Sequence, residues 1–200
     1  MPAEPRTGRG RASRERIVER AAELFAEQGI TGTSVDEVLA AAKAGKGQFY
    51  HYFRGRDELA AAAVGYRCTQ VVAGLTAALG DVSSLAGLEQ ALAGFIAGFE
   101  QSGLPGCPIG TLAIEVAGRN EEARLQAAAG FDAWERLLAD ALERMRQGGE
   151  LRPDAAPSVL ATGLLASIEG GMILSQTRKD VASLRVAVDT GLAQVRAQLS

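Results

Sequence analysis

The stretch from Thr33 to Phe53 constrains the fold of this chain more than any other. Ser34 and Glu37 have the spacing of a capping box, in which each residue satisfies a backbone N–H that the helix start leaves open. Val35, Val38, Leu39 and Ala42 then recur at i, i+3, i+4 and i+7, which is one apolar helical stripe. Gly45 and Gly47 loosen the chain before a second short helix, whose Phe49 and Phe53 stand four residues apart and anchor it to a core. Two short helices on a tight turn form a helix-turn-helix, a motif that presents its second helix to the major groove of DNA. Lys46, Gln48, Tyr50, His51 and Tyr52 are left as the outward groups. Gln48 is the candidate for base edges, because its amide both donates and accepts. Lys46, Tyr50, His51 and Arg56 are assigned to phosphates, with Thr33 and Ser34 helping at the start of the preceding helix. Gly45 and Gly47 are counted with this DNA-facing set. Tyr52 serves either role, and for both Tyr50 and Tyr52 the alternative is packing on the head's own core.

The same residues resemble the DNA-binding head of the TetR family of bacterial transcriptional regulators. The likeness covers about residues 13–60. It lies in the helix Ile17–Gly29, the turn Thr31-Gly32-Thr33-Ser34, the run Lys46-Gly47-Gln48-Phe49-Tyr50-His51-Tyr52-Phe53, and Arg56-Asp57-Glu58-Leu59. The family usually has Gly in the turn where this chain has Lys43, so Lys43 is expected in the left-handed region at some cost. The resemblance implies a ligand-responsive repressor whose body binds a small effector and then releases DNA.

Charge is distributed unevenly. Residues 1–56 hold 10 Lys+Arg against 7 Asp+Glu, net +3, and residues 57–200 hold 11 against 17, net −6. A positive end is drawn to phosphate while an acidic body is held away from it, although chance asymmetry explains the numbers as well. Residues 1–12 read as a flexible arm whose Arg6, Arg9 and Arg11 are either a plain leader or a reach toward phosphates and the minor groove. The start carries no secretory h-region, and no uncharged run reaches the length of a membrane span, so a cytoplasmic protein with no membrane partner is expected.

The whole chain reads as all-α, with nine helices and an Ala- and Leu-rich core. A three-helix head of residues 13–54 precedes a six-helix body of residues 55–200 for effector binding and dimerisation. The segment from Ser158 to Gln176 carries a single charge, Glu169, and a helix apolar nearly all round is buried on more than one side. The last helix has a seam of Val181, Leu184, Val188, Leu192, Val195 and Leu199. These two helices pack either inside the monomer or against a second copy as a four-helix bundle. The second reading is favoured, because a homodimer on a palindromic operator needs a two-fold interface, and it makes Leu164, Ile168, Gly171, Leu184, Val188, Leu192 and Val195 that interface.

The body resembles the LmrA/YxaF-like branch of the family in Gly106-Cys107-Pro108-Ile109-Gly110-Thr111-Leu112-Ala113, in Glu115, in Trp134-Glu135 and in Gly149-Glu150-Leu151. Phe95, Phe99, Cys107, Phe131, Trp134 and Met172 are candidates for the wall of a mostly apolar effector pocket, and each fits plain core periodicity equally well. Cys107, just before a short helix, is either a small buried residue or a thiolate favoured by the helix N-terminus. The latter would make the protein a sensor of electrophiles or oxidants.

Catalysis has little support. His51 is the only histidine and lies in the recognition helix, and the two cysteines have no metal spacing. No cofactor and no metal are expected. The alternative from another class is a helical small-molecule-binding protein without specific operator recognition.

Overall fold

The computed structural model describes residues 7–200, and Arg6 lies outside them. Among the described residues the chain forms nine helices and no strand. They are α1 (Gly8–Gln28), α2 (Val35–Ala41), α3 (Lys46–Tyr52), α4 (Arg56–Leu79), α5 (Leu85–Gln101), α6 (Pro108–Val116), α7 (Glu121–Gln147), α8 (Pro157–Arg178) and α9 (Ala182–Arg196). The all-α reading and the helix count hold.

The start of α1 corrects the expected arm. Thr7 caps it, its hydroxyl oxygen accepting from Gly10 N–H at 3.1 Å, so the helix begins at Gly8 and Arg9 and Arg11 stand on its first turns. The other boundaries follow from local chemistry. Asn120 Oδ1 accepts from Ala123 N–H at 2.9 Å and opens α7. Pro157 stands at the first position of α8, where its missing N–H has no helical partner to lose. Beyond α9 the chain makes an isolated antiparallel bridge, Leu151 with Leu199, which ties its end to the link before α8.

By contact the chain divides into two compact units. One holds the described residues up to 70 together with 108–130, and the other holds 71–107 and 131–200. This differs from a boundary after residue 54. The first half of α4 buries Leu59, Ala60, Ala63 and Val64, and α6 buries Ile109, Leu112 and Val116, so these segments count with the head by packing.

In the second unit α8 and α9 pack closely against each other. An added Cβ on Gly171 would stand 2.9 Å from Leu184 Cα and from Ala187 Cβ, and one on Gly191 would stand 2.7 Å from Leu164 Cδ1. The pairing runs antiparallel, as the short α8–α9 link requires. Leu164, Ile168, Gly171, Leu184, Val188, Leu192 and Val195 are consequently all buried within the chain. They form its core and are not free to make a dimer seam. Two ion pairs fasten α9 to α5, Arg185 with Glu100 and Arg196 with Glu89, each at 2.7 Å.

By length and apolar composition alone α8 is long enough to cross a membrane, although Glu169 interrupts its uncharged run. Here Ala161, Leu164, Leu165, Ile168 and Met172 bury its inner side in the protein's own core.

Candidate nucleic-acid interface

The head is built around the expected capping box. Glu37 N–H donates to Ser34 Oγ (3.2 Å), and Ser34 N–H donates to Glu37 Oε2 (2.7 Å). The Ser34 hydroxyl and N–H hold the Glu37 carboxyl below the usual carboxylate range. At the other end of α2, Lys43 has φ 50°. Ala44 N–H donates to Leu39 O (2.9 Å) and Lys43 N–H to Ala40 O (3.2 Å), a Schellman closure with lysine at the position that favours glycine. This closure turns the chain sharply into α3. Phe49 and Phe53 anchor α3 as expected, both fully buried.

Lys46, Gly47, Gln48, Tyr50 and His51 are exposed, and Tyr50 keeps 68% of its surface. Lys46 pairs with Asp36 of α2 at 3.1 Å, a contact between two exposed groups that a phosphate can displace. Gln48 is oriented twice. Its Oε1 accepts from Gly45 N–H (3.0 Å) at the start of α3, and its Nε2 donates to Ser13 Oγ of α1 (3.4 Å). An amide has two N–H donors and further lone pairs, so capacity for a base edge remains.

Three assigned residues have other work. Tyr52 is 8% exposed and stacks edge-on against His51 and Phe53, which is the packing alternative. Thr33 is 2% exposed, and its hydroxyl donates to Gly29 O (2.9 Å), pinning the end of α1. Arg56 donates to the carbonyls of Ile30, Thr31 and Thr33. Their chemistry suits DNA equally well, and only the path of the α1–α2 turn brings partners within reach first. That turn is held from its other side by α6, whose Glu115 Oε2 accepts from Ile30 N–H (2.8 Å) and Thr31 N–H (3.3 Å).

Other residues enter the surface that the motif alone did not mark. A groove of about 630 Å³ runs between the start of α1 and the recognition helix, lined by Arg9, Ser13, Arg16, Lys43, Gln48 and Tyr52 among others. Arg9, Ser13 and Arg16 follow i, i+4, i+7, so the signal was a helical face that runs from the segment read as an arm into the head. Arg9, Arg16 and Lys43 bring three cationic side chains beside the outward face of α3. Arg16 is directed by its Nε–H, which donates to Ala42 O at 2.9 Å.

In the second unit Trp134 and Phe95 meet edge to face at 5.8 Å, while Phe99, Cys107 and Met172 are buried and Phe131 is half-buried. The Cys107 thiol donates to the Glu169 carboxyl, whose pKa burial pushes up. Cys107 is closed to solvent, as a small buried residue would be. This environment supports the buried-thiol reading. Both cysteines are free and buried.

Comparison with known proteins gives the geometry its context. The tetR-family model of bacterial regulatory proteins matches residues 17–63, and the model of the LmrA/YxaF-like transcriptional regulator C-terminal domain matches 84–190. An HTH-type transcriptional regulator of Mycobacterium tuberculosis is 35% identical over 184 residues, covering 86% of this chain and 88% of its own. The HTH-type transcriptional repressor DhaR of a Mycobacterium species is 26% identical over 160 residues, 80% of each chain. The crystal structure of a TetR regulator from Chloroflexus aurantiacus, 27% identical, superposes with a TM-score of 0.76 over 96% of this chain and 98% of that one. With its head and its body each matched in turn, the chain belongs to the TetR family of bacterial transcriptional regulators and carries a C-terminal domain of the LmrA/YxaF-like kind.

Proposed function

We propose that this regulator is a repressor that binds a two-fold operator as a homodimer and leaves it when a small, mostly apolar effector binds the body. The observation that carries the reading is the outward face of α3, where Gln48, Tyr50 and His51 are exposed beside a groove lined by Arg9, Arg16 and Lys43. Gln48 reads a base edge, and Lys46, Tyr50, His51 and the groove cations take phosphates. DhaR, a relative over most of the chain, is named a repressor, which supports the direction of control.

The dimer seam proposed here lies on the outer sides of α8 and α9, since their inner sides are spent on each other. Val159, Ile173, Leu174 and Val186 are large, apolar and exposed there, with the small Ala166, Gly170 and Ala193 exposed on the same two helices. A two-fold seam spaces two recognition helices for half-sites about one helical turn apart. An effector acts by preferring a state in which that spacing no longer fits, and its effect is bounded by its difference in affinity for the two states.

The test is selection of bound DNA from a random pool by the wild type and by Gln48→Ala. The variant is expected to lose preference at one position per half-site, with a cost of about 1–3 kcal/mol there. An unchanged preferred sequence would remove Gln48 from base reading. Binding with no sequence preference at all would favour a ligand-binding module over an operator reader.

A further inference from the structure

Glu169 is the one charged residue between Ser158 and Gln176, on a helix whose inner side is apolar. One side of its carboxyl is engaged by the Cys107 thiol. Its Oε1 is closed to solvent and has no hydrogen-bond partner. Among the described residues only Arg67 Nε shares that condition. Folded proteins hold few such atoms, because a buried acceptor left unmade costs more than an apolar replacement of the same shape. Stability therefore does not explain a carboxyl here.

Nor is the carboxyl loosely placed. Two turns further along α8, Gln176 Nε2 donates to Pro105 O at 2.9 Å. The neighbouring Gly106 has φ +84°, and an added Cβ would stand 2.7 Å from the Gln176 side chain. This seats the segment that carries Cys107 directly on α8. Two turns earlier, the Thr162 hydroxyl donates to Glu135 Oε1 of α7 at 2.7 Å, next to Trp134. Thr162, Glu169 and Gln176 thus share one side of α8, and that side faces the α7 segment bearing Trp134 and the loop bearing Cys107. The thiol fixes one edge of the carboxyl and leaves the other directed elsewhere.

We propose that Glu169 Oε1 is the polar anchor of the effector site on this side of α8, and that the effector is an uncharged, mostly apolar compound bearing an O–H or N–H donor. The inference rests on the effector reading above and adds the ligand's chemistry. Burial pushes Glu169 toward its neutral form, in which one oxygen carries the proton and the other remains an acceptor; with the proton on the oxygen that the thiol engages, Oε1 takes a ligand's donor without a buried counter-charge. A cationic ligand would need the ionised carboxylate that this environment disfavours.

Two measurements on the full-length protein test it. Calorimetric titration compares 2-naphthol, its methyl ether 2-methoxynaphthalene and the ammonium compound 2-naphthylmethylamine on wild type and Glu169→Leu. The wild type is expected to bind 2-naphthol about tenfold or more tightly than the ether, since the ether leaves the acceptor unmade. Glu169→Leu is expected to bind the two alike. Equal affinities in wild type, a preference that survives in Glu169→Leu, or tightest binding of the ammonium compound would each overturn the anchor while leaving an effector site in place. Binding of none of the three would overturn the effector site and the anchor together. The second measurement needs no ligand. Thermal unfolding of Glu169→Leu is expected to rise by about 2–4 °C. A fall would make Glu169 a structural residue and end the proposal.

Discussion

Lys43 shows how one residue serves two ends that conflict. With φ 50° it closes the Schellman turn in a conformation that costs a side chain about 1–2 kcal/mol, yet its ammonium stem lines the groove beside Gln48. Lys43→Gly should raise stability by about 0.5–1 kcal/mol, since part of the relief is offset by glycine's freedom in the unfolded chain. The same variant should bind DNA more weakly across sequences, and the slope of log affinity against log salt should shrink by about 1. Chemical denaturation and a salt titration measure the two effects. A stable variant with undiminished DNA affinity would remove Lys43 from the interface. The positive φ was legible from the family pattern, because the turn geometry there favours glycine. That the lysine would share a groove with α1 was not, since it depends on where α1 begins.

Among the elements, the α1–α2 turn is fixed from both sides. Arg56 of α4 holds its carbonyls and Glu115 of α6 holds its N–H groups. Seen as sequence, Arg56 was a basic residue just beyond the recognition helix and Glu115 a charge on a short apolar helix, separated by 59 positions. Neither the separation nor any local pattern announces that they meet one loop. Glu115→Ala should free Ile30 and Thr31, costing about 1–2 kcal/mol locally. Amide hydrogen exchange should then quicken at those two positions, while exchange in α3 changes little. Unchanged protection at Ile30 would show that the carboxylate does not hold the turn.

For the molecule as a whole, the fate of α8 and α9 separates core from partner surface. Val188 is 3% exposed and Val186 is 67% exposed, two residues apart on one helix. Val188→Asp should bury an unpaired charge, cost about 3–5 kcal/mol and unfold the body. Val186→Asp should leave helix content unchanged and yield monomers if the outer faces form the dimer seam. Circular dichroism and light scattering distinguish these outcomes. A folded dimer of Val186→Asp would place the interface elsewhere.

What the sequence determined by itself was whatever depends on near neighbours. The capping box at Ser34 and Glu37, the 3.6-residue stripes, Asn120 as a cap and Pro157 at a helix start each act within one or two turns, so the helices and the head motif could be read directly. The tertiary structure decided which of two apolar surfaces a helix spends inside its own chain. Val188 and Leu192 read equally well as core or as interface, because periodicity gives the direction of a face and not its occupant. The α8–α9 link is short, so the two helices meet each other before any second copy arrives. For the same reason Tyr52, Thr33 and Arg56, whose chemistry suits DNA, were taken up by partners that the fold brings nearer.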